Sequence, residues 1–440
     1  MVTENTGSHK LKFSRQISWG LILASLALLL LLSYLVLESA EISASLARSS
    51  LFSSSEKEPA YTLTPEYDMT AELVVASLAP RSRTLSFHDE LFRRLPEYSR
   101  IILLLPGGLE STIAKALEGR PYQDRVELLT YQVHSQHHSR YYMLFPEKDK
   151  LIEVEAKPTE PIIPEGSIWA RDLFVAGSEG QQKAVLLIPD THKWYVSVEN
   201  ESTFKVTSDN HYLERLTQAG LQVKRLPFIF QGGNILVDRS SSGKRVFVGS
   251  NQLKTTRVVW KAMLDRNPSD DQLRDLFSQA FQADQLVILG SNRLQPPSLM
   301  FHIDQALVFL GNQTVGMTRL VKGKRSEASL DPEVLQTQNF LKTARKQMLE
   351  LGYRIIDLKT SIENLQNHQL PVNAIPFKDK ETGDRKILFP RYTSATSPLD
   401  RELYAYNKKA LERAGYQVLP VETQLDRING GIHCLLNVIR

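Results

Sequence analysis

The C-terminal stretch of the chain reads Asn429-Gly430-Gly431-Ile432-His433-Cys434-Leu435-Leu436-Asn437-Val438-Ile439-Arg440, and Cys434 is the only cysteine among 440 residues. A lone cysteine is most often a small buried apolar residue. Here, however, a Gly-Gly pair permits close approach of a ligand to the backbone, and polar His433 and Asn437 flank the thiol. A single cysteine with His and Asp or Asn elsewhere in the chain is typical of a thiol nucleophile. The tail therefore predicts a nucleophile, provided that partners for it lie elsewhere.

The composition is that of an ordinary globular protein, with 42% hydrophobic and 23% charged residues. A chain of this length can bury a sizeable core, so disorder is not expected. The 53 basic and 49 acidic residues leave a formal net charge of only +4. This balance gives no support for a nucleic-acid partner, and we exclude that class.

Residues 17–37 form an apolar run long enough to span a bilayer as a helix. Basic residues precede the run and acidic residues follow it, which predicts a single-pass membrane protein with a cytoplasmic N-terminus and the rest of the chain outside. The alternatives are a signal peptide that is cleaved, giving a secreted protein, and a buried core helix. We favour the anchor because the apolar region of a signal peptide is usually shorter.

Four segments follow from this pattern. They are a short cytoplasmic tail (1–16), a transmembrane anchor (17–37), a Ser-rich linker (38–66) and one large domain (67–440). The linker shows no sustained apolar period. No second break in composition follows Tyr67, so one domain is the economical interpretation.

Short buried strands alternate with helical patterns in the large domain. Apolar runs predict strands at 101–105, 184–188, 235–237, 245–248 and 285–289, and amphipathic spacing predicts helices at 209–219, 270–280, 333–351 and 400–414. Such alternation predicts an α/β fold.

Several polar residues spread over this domain are candidates to partner the thiol. They are Asp172 in Trp169-Ala170-Arg171-Asp172, Gly233 and Asn234 before a predicted strand, His302 and Asp304 in a strand-like alternation, and Asn373 in Leu370-Pro371-Val372-Asn373. Each motif alone is weak evidence for a functional site, since an Arg-Asp pair is usually structural and a Gly-Gly pair is usually a turn. Together with Cys434, however, they recur about every 60 to 70 residues, as expected for equal structural units around a shared centre. The spacing therefore predicts that they converge on one pocket.

In this order, the motifs Trp-x-x-Asp, Gly-Asn, His-x-Asp, Pro-x-Asn and His-Cys-x-x-Asn-Val-x-Arg resemble those of the catalytic domain of the peptidylarginine deiminases. These enzymes belong to the guanidino-group-modifying pentein superfamily, which also includes agmatine deiminase. The resemblance covers about Tyr67 to Arg440 and implies a five-bladed, pseudo-symmetric α/β propeller. The spacing of the polar residues agrees with five such units.

The resemblance also implies a role for each matching residue. Cys434 would be the nucleophile, His302 the general acid and base, and Asp172 and Asp304 the two carboxylates that hold a guanidinium. The implied supporting residues are Asn373, Asn234, Gly233 and Asn437.

Gln231 departs from part of the family. Agmatine and free-arginine deiminases carry Glu immediately before the Gly-Gly pair, whereas the vertebrate peptidylarginine deiminases lack that Glu and share the ending Asn437-Val438. The departure points away from enzymes that act on small molecules.

The implied reaction is the hydrolytic deimination of arginine in peptides or proteins to citrulline and ammonia. A guanidinium is a planar cation, and two carboxylates can hold it by paired hydrogen bonds and present its carbon to the thiol. Attack by Cys434 leads to a thiouronium intermediate, while His302 protonates the departing nitrogen and then activates water. The substrate cation and His302 should both lower the pKa of the thiol, while Asp172 and Asp304 repel each other until the substrate neutralises them. We therefore expect weak thiolate character in the free enzyme.

The scheme requires no metal and no cofactor, and calcium enters only by analogy with the family. The expected partners are an arginine-containing peptide or protein substrate, and the membrane through residues 17–37. Two alternatives stay open. In the first, the substrate is agmatine or another small guanidine. In the second, the chain is a catalytically silent pentein that binds guanidino groups, and Gln231 is the residue that supports this hypothesis.

Overall fold

The structure is a computed structural model of the chain. It describes residues 61–79, 84–131, 140–145, 150–155, 168–179, 183–189, 192–198, 201–207, 212–241, 243–291, 294–321 and 331–440. They belong to one compact unit that extends to Arg440.

Strands in the described part of the chain pair into six sheets, and five of these share one plan. In each of the five, one strand pairs antiparallel with a second, and the second pairs parallel with a third. The five sheets are β1 (Tyr61–Leu63), β7 (Val175–Glu179), β8 (Lys183–Pro189) and β11 (Gln222–Leu226); β12 (Ile235–Ser240), β13 (Gly243–Gly249) and β14 (Gln285–Leu289); β15 (Leu307–Phe309), β16 (Thr314–Val321) and β17 (Arg354–Ser361); β18 (Ile375–Lys378), β19 (Arg385–Tyr392) and β20 (Gln417–Thr423); and β21 (Leu436–Val438), β2 (Leu73–Ser77), β3 (Arg100–Pro106) and β4 (Val126–Tyr131).

The sixth sheet is entirely antiparallel and has the order β6-β5-β10-β9. Its strands are β5 (Arg140–Phe145), β6 (Lys150–Glu155), β9 (His192–Val198) and β10 (Glu201–Thr207). The sequence did not predict it.

Parallel neighbours need a crossover connection, and helices supply it in each of the five similar sheets. The helices are α1 (Asp89–Arg94), α2 (Glu110–Leu117), α3 (Leu213–Gln218), α4 (Ser250–Leu264), α5 (Asp270–Ala280), α6 (Pro332–Glu350), the short α7 (Ile362–Gln366), α8 (Pro398–Arg413) and the single turn α9 (Ile432–Leu435). Local sequence sets their starts: Ser269 and Ser397 each form a capping box, and Asp331 accepts a hydrogen bond from the first turn of α6.

The predicted α/β class is confirmed. Its parallel pairs lie under helices, as in β3, where Ile101 to Leu105 are all fully buried. No hydrogen-bonded strand pair joins one of the five similar sheets to another in the described residues. The repeated units are therefore observed, whereas their closure into a propeller stays a prediction.

The prediction of a single-pass membrane protein needs correction. In the part of the chain that the structure describes, no helix combines the length and the apolar composition needed to cross a bilayer. The segment on which that prediction rested, 17–37, lies outside the described residues.

The end of the predicted linker also differs from expectation. Residues 61–63 form β1, and Glu66 begins the 3-10 turn Glu66–Asp68 that follows it. Tyr61 and Leu63 are buried, and β1 pairs antiparallel with β7. A strand of this length gives too short an apolar alternation to be recognised in the sequence.

Candidate active site

Apart from Asn437, which lies on β21, the predicted site residues lie on or beside tight turns. Each turn precedes the strand that forms the antiparallel pair of the shared plan in one of the five similar sheets. The turns are Ala170–Asp172 before β7, Gly232–Asn234 before β12, Ile303–Gln305 before β15, the segment ending at Asn373 before β18, and Ile432–Leu435 before β21. Because these positions are equivalent in the repeated plan, the same element of each unit carries a site residue. This equivalence accounts for the regular spacing in the sequence.

The strand predicted around His302 and Asp304 is wrong. His302 itself is extended, with φ −119° and ψ 148°, but Ile303–Gln305 forms a 3-10 turn. The side chain of Gln305 accepts a hydrogen bond from the backbone N–H of His302 at 3.4 Å and so closes the turn. An alternation of two residues cannot distinguish a strand from a turn of this kind.

Three of the predicted side chains surround a single point beside Gly233. A Cβ atom built on Gly233 would lie 2.7 Å from His302 Nδ1, 3.1 Å from Asp172 Oδ1 and 3.1 Å from Asp304 Oδ2. Only glycine leaves this space open. The Gly233 N–H also donates to Asp172 Oδ1 at 3.3 Å, and His302 Nδ1 lies 3.5 Å from the same oxygen. The structure therefore brings His302, Asp172 and Asp304 together.

Cys434 joins this cluster. Its Sγ lies 4.0 Å from Asp304 Oδ2 and 3.4 Å from Asn373 Nδ2. The Oδ1 atom of Asn373 accepts from the backbone N–H of His433 at 2.9 Å, so one amide orients both the thiol and its turn. Gly431 is required here because a Cβ would lie 2.3 Å from Asn373 Oδ1.

The thiol is held in its neutral form. Burial, followed by the negative charges of Asp304 and Asp172, raises the pKa of Cys434 well above its ordinary value. Hydrogen bonds from the Gly431 backbone and from Asn373 offset the rise only in part. This agrees with the expected weak thiolate character of the free protein.

His302 is held by Gln231. The imidazole is 2% exposed, and its Nε2 lies 3.1 Å from Gln231 Oε1. The ring also contacts Phe301 edge-on, with 4.4 Å between ring centroids. An amide oxygen only accepts hydrogen bonds, so this contact places a proton on Nε2. The Nδ1 atom is the one that faces the cluster around Gly233.

Behind the cluster lies a second layer of charged residues (Glu66, Arg171 and His433), to which the sequence assigned no role. His433 Nδ1 lies 2.8 Å from Asp304 Oδ2, and its Nε2 lies 2.8 Å from Glu66 Oε2. Glu66 also pairs with Arg171, which donates to the carbonyl of Ile235 at 2.9 Å. No spacing signal marks Glu66, because it lies in the stretch predicted as linker.

This layer has strongly shifted pKa values. Burial opposes ionisation of Glu66, but the charges of Arg171 and His433 dominate and lower its pKa to about 2. Burial likewise opposes the charging of His433, but Glu66 and Asp304 outweigh it and raise the pKa to about 9. The two groups are therefore both charged at neutral pH.

The predicted supporting residues Asn234 and Asn437 tie backbone segments behind the cluster. Asn234 donates to the carbonyl of Phe301 at 3.3 Å and accepts from the N–H of Ile303 at 3.2 Å. Asn437 donates to the carbonyl of Phe174 at 2.7 Å. Both join one site-bearing turn to the next.

Within the described residues, no group of three or more His, Cys, Asp or Glu side chains is arranged to hold a metal ion. The expectations about metal, calcium and other cofactors therefore stay predictions.

No protein-family model matches the sequence, and no curated protein matches it either. Solved structures do match. Agmatine deiminase from C. jejuni aligns with a TM-score of 0.53 and 15% identity, over 88% of this chain and 100% of that one. Agmatine deiminase of Enterococcus faecalis aligns with a TM-score of 0.51 and 12% identity, over 86% and 95%.

A protein from Porphyromonas gingivalis, provisionally assigned as an arginine deiminase, aligns with a TM-score of 0.53 and 14% identity, over 86% of this chain and 97% of that one. At such identities, these likenesses establish the fold and leave the activity to be argued from the site.

Proposed function

We propose that this chain, which has the pentein fold of the solved structures above, is a hydrolase that deiminates a guanidino group through Cys434. One observation carries the proposal. His302 Nδ1, Asp172 Oδ1 and Asp304 Oδ2 all lie within 3.1 Å of one point beside Gly233, and the Cys434 thiol lies 4.0 Å from the same Asp304 oxygen. A nucleophile, an acid-base group and two carboxylates are the groups that the reaction needs.

The carboxylates favour a planar cation as the substrate. A guanidinium is protonated at any physiological pH and offers N–H donors in a fixed plane. Asp304 Oδ1 is buried and has no hydrogen-bond partner among the described residues. A buried carboxylate oxygen without a partner is costly, and a guanidinium N–H would satisfy it.

The reaction begins when the substrate cation offsets the charges of Asp172 and Asp304, so that Cys434 loses its proton to His302. The thiolate attacks the guanidinium carbon, and the imidazolium then protonates one nitrogen, which leaves as ammonia. This step produces a thiouronium bound to Cys434. His302 removes a proton from water as its oxygen attacks the same carbon. The C–S bond breaks, His302 returns its proton to the sulfur, and the ureido product loses its excess proton to solvent, where it is taken up by ammonia. The thiol and the neutral imidazole are thereby restored.

Arginine within peptides or proteins is the first candidate substrate, with citrulline as the product. Its support is Gln231, which stands where the agmatine and free-arginine deiminases that this chain resembles carry Glu. Agmatine is the second candidate. Its support is that two of the similar solved structures are agmatine deiminases.

We also propose that the five similar sheets close into a propeller around this cluster. The support is that the five site-bearing turns hold the same place in the five sheets. A pseudo-symmetric closure would bring these equivalent turns to a common axis.

The test is to incubate the full chain with a blocked arginyl peptide and, separately, with agmatine, while ammonia and the ureido product are measured. We expect product from one of them, and we expect Cys434→Ser to lower the rate by about 10⁴-fold or more. Turnover of the peptide alone supports the first substrate, and turnover of agmatine alone supports the second. Binding of either compound without release of ammonia would overturn the enzyme and leave a guanidine-binding pentein.

A further inference from the structure

A chain of hydrogen bonds leads from the N-terminal part of the domain to the proposed site. It runs from Glu66 Oε2 to His433 Nε2 at 2.8 Å, and from His433 Nδ1 to Asp304 Oδ2 at 2.8 Å. The side chains of His433 and Asp304 are only 4% and 2% exposed. Arg171 pairs with the other oxygen of Glu66. Two parts of the chain that are far apart in sequence thus meet directly behind the cluster.

With both carboxylates ionised, the two contacts require His433 to be an imidazolium. Ionised carboxylates accept hydrogen bonds and cannot donate them. With one carboxylate on each ring nitrogen, both nitrogens must carry a proton for both contacts to be hydrogen bonds. Glu66 supplies the second of these acceptors, so it keeps the positive charge on His433.

The two oxygens of Asp304 therefore differ in their hydrogen bonding. Oδ2 is taken by the imidazolium, whereas Oδ1 is buried and has no partner among the described residues. Holding Oδ2 fixes the rotation of the carboxylate. The oxygen left over is then available to a cation that enters the cluster.

We propose that Glu66 and His433 are positioning residues, which hold Asp304 in one orientation so that Oδ1 receives one N–H of a planar substrate cation. This inference rests on the proposed function and extends it, since it names the groups behind the carboxylate that select the substrate. The charged groups that face His433 are Glu66, Arg171 and Asp304. The cluster and the layer behind it contain three carboxylates (Glu66, Asp172 and Asp304) and two cations (Arg171 and His433). One further positive charge would therefore balance them.

A purely structural role for Glu66 is the competing explanation, because the same contacts brace the start of the domain. The two roles differ in what they predict for charge. A structural brace would affect the stability of the protein, and its loss would change the rates at which cationic and neutral reagents alkylate the thiol by the same factor. A positioning role affects the recognition of a planar cation and leaves a neutral reagent unchanged.

The test compares two reagents that alkylate Cys434: a haloacetamidine, which is a planar cation, and iodoacetamide, which is neutral. Rates are followed by mass spectrometry on the full chain, which has no other cysteine. We expect the wild-type protein to prefer the amidine. In Glu66→Gln, which keeps the shape of the side chain and removes its charge, this preference should fall roughly tenfold while the iodoacetamide rate stays within about twofold.

The pH profile provides the second readout. In the wild-type protein the preference should decline as pH rises through the pKa of His433, about 9. In Glu66→Gln the decline should begin at lower pH, because the charge that sustains the imidazolium is gone. Circular dichroism checks that the variant is folded. If it does not fold, His433→Leu, which removes the donor to Asp304, serves as the second variant and should lose the same preference.

The control is Glu127→Gln, which removes an exposed carboxylate paired with Arg100; its reagent preference and pH profile should equal those of the wild type. An unchanged preference and pH profile in a folded Glu66→Gln would overturn the positioning role, as would a wild type without preference for the amidine. A wild type that prefers the amidine but releases no ammonia from either guanidine would reject only the proposed function. The two proposals can therefore fail separately.

Discussion

At the scale of single residues, the main feature is a thiol, the proposed nucleophile, whose surroundings keep it protonated. Burial and the charges of Asp304 and Asp172 raise the pKa of Cys434. A thiol in this state resists oxidation and adventitious alkylation, since the thiolate is the reactive form. The same two carboxylates would attract the substrate, so the ligand that is to be attacked also removes the repulsion that keeps the thiol neutral.

This coupling predicts that a planar cation lowers the pKa of the thiol. Acetamidinium, bound between the carboxylates, should lower the apparent pKa of Cys434 by about one unit or more, since one unit corresponds to roughly 1.4 kcal/mol. The measurement is the ultraviolet absorbance of the thiolate against pH, with the Cys434→Ser protein as baseline.

Tetramethylammonium, which has the charge but no N–H donors, is the control and should leave the pKa of Cys434 in place. An equal shift with both cations would mean that the site responds to general charge and not to a planar donor.

Sequence alone could identify the groups whose chemistry is unusual for their position. Cys434 is unique in the chain, and the His302-Asp304 pair carries two reactive types close together. Glu66 and Arg171 could not be found in this way, because a single Glu in a polar stretch and an Arg beside an Asp are common. Their importance depends on burial and on a partner that is distant in sequence.

At the scale of elements, the decisive feature is the turn before the strand that forms the antiparallel pair of the shared plan in each similar sheet. A turn places side chains at an edge of the sheet, where several units can contribute to one cluster. In the Gly232–Asn234 turn, Gly233 lets its backbone approach three polar side chains at once.

Gly233→Ala should therefore strongly lower turnover while the fold persists. The new methyl group would lie 2.7 Å from His302 Nδ1 and 3.1 Å from oxygens of both Asp172 and Asp304. It would displace these groups and fill the space beside them, so we expect turnover to fall by about 100-fold or more. The measurement is the rate of ammonia release, together with a thermal melt.

Gly107→Ala is the matched control, since its Cβ would meet only ordinary contacts, the nearest at 3.5 Å from the carbonyl of Tyr131. Full activity in Gly233→Ala would contradict the position assigned to the cluster.

Apart from the strand around His302, the strands and helices that the sequence predicted each match an element of the structure, but many other elements were missed, for physical reasons. Helix α5 was predicted with the correct bounds because Ser269 caps a strongly amphipathic segment. Helix α4 was missed, since Thr255-Thr256 and Val258-Val259 are β-branched and disfavour a helix locally. Burial of Leu253, Thr256 and Val259 in the folded protein overrides that preference.

At the scale of the whole molecule, the two ends of the described domain are joined. Strand β21 pairs antiparallel with β2, with Val75 opposite Asn437, and the N–H of Glu72 donates to the carbonyl of Arg440 at 2.6 Å. The ion pair between Glu66 and His433 reinforces this junction close to the proposed site. Periodicity in the sequence indicated equal units, but it did not show that β21 would pair with β2 in the same sheet.

The junction makes a specific prediction about stability and pH. The pKa of Glu66 falls from 4.5 to about 2 on folding, so its contribution is present above pH 4.5 and is lost as pH falls toward 2. The pKa of His433 rises from 6.5 to about 9, so its contribution is complete below pH 6.5 and is lost as pH rises through 9. The stabilisation by this pair is therefore greatest between about pH 4.5 and 6.5.

Glu66→Gln should lose stability mainly in that window. Because each shift is more than two units, we expect a deficit on the order of 3 kcal/mol in the free energy of unfolding near pH 5.5, shrinking by about 2 kcal/mol near pH 9.5 as His433 becomes neutral in the wild type. Urea unfolding at both pH values measures it, and Glu127→Gln controls for the loss of an exposed carboxylate. A deficit that is equal at both pH values would show that Glu66 stabilises the fold through Arg171 alone. The junction would then be independent of the charge on His433.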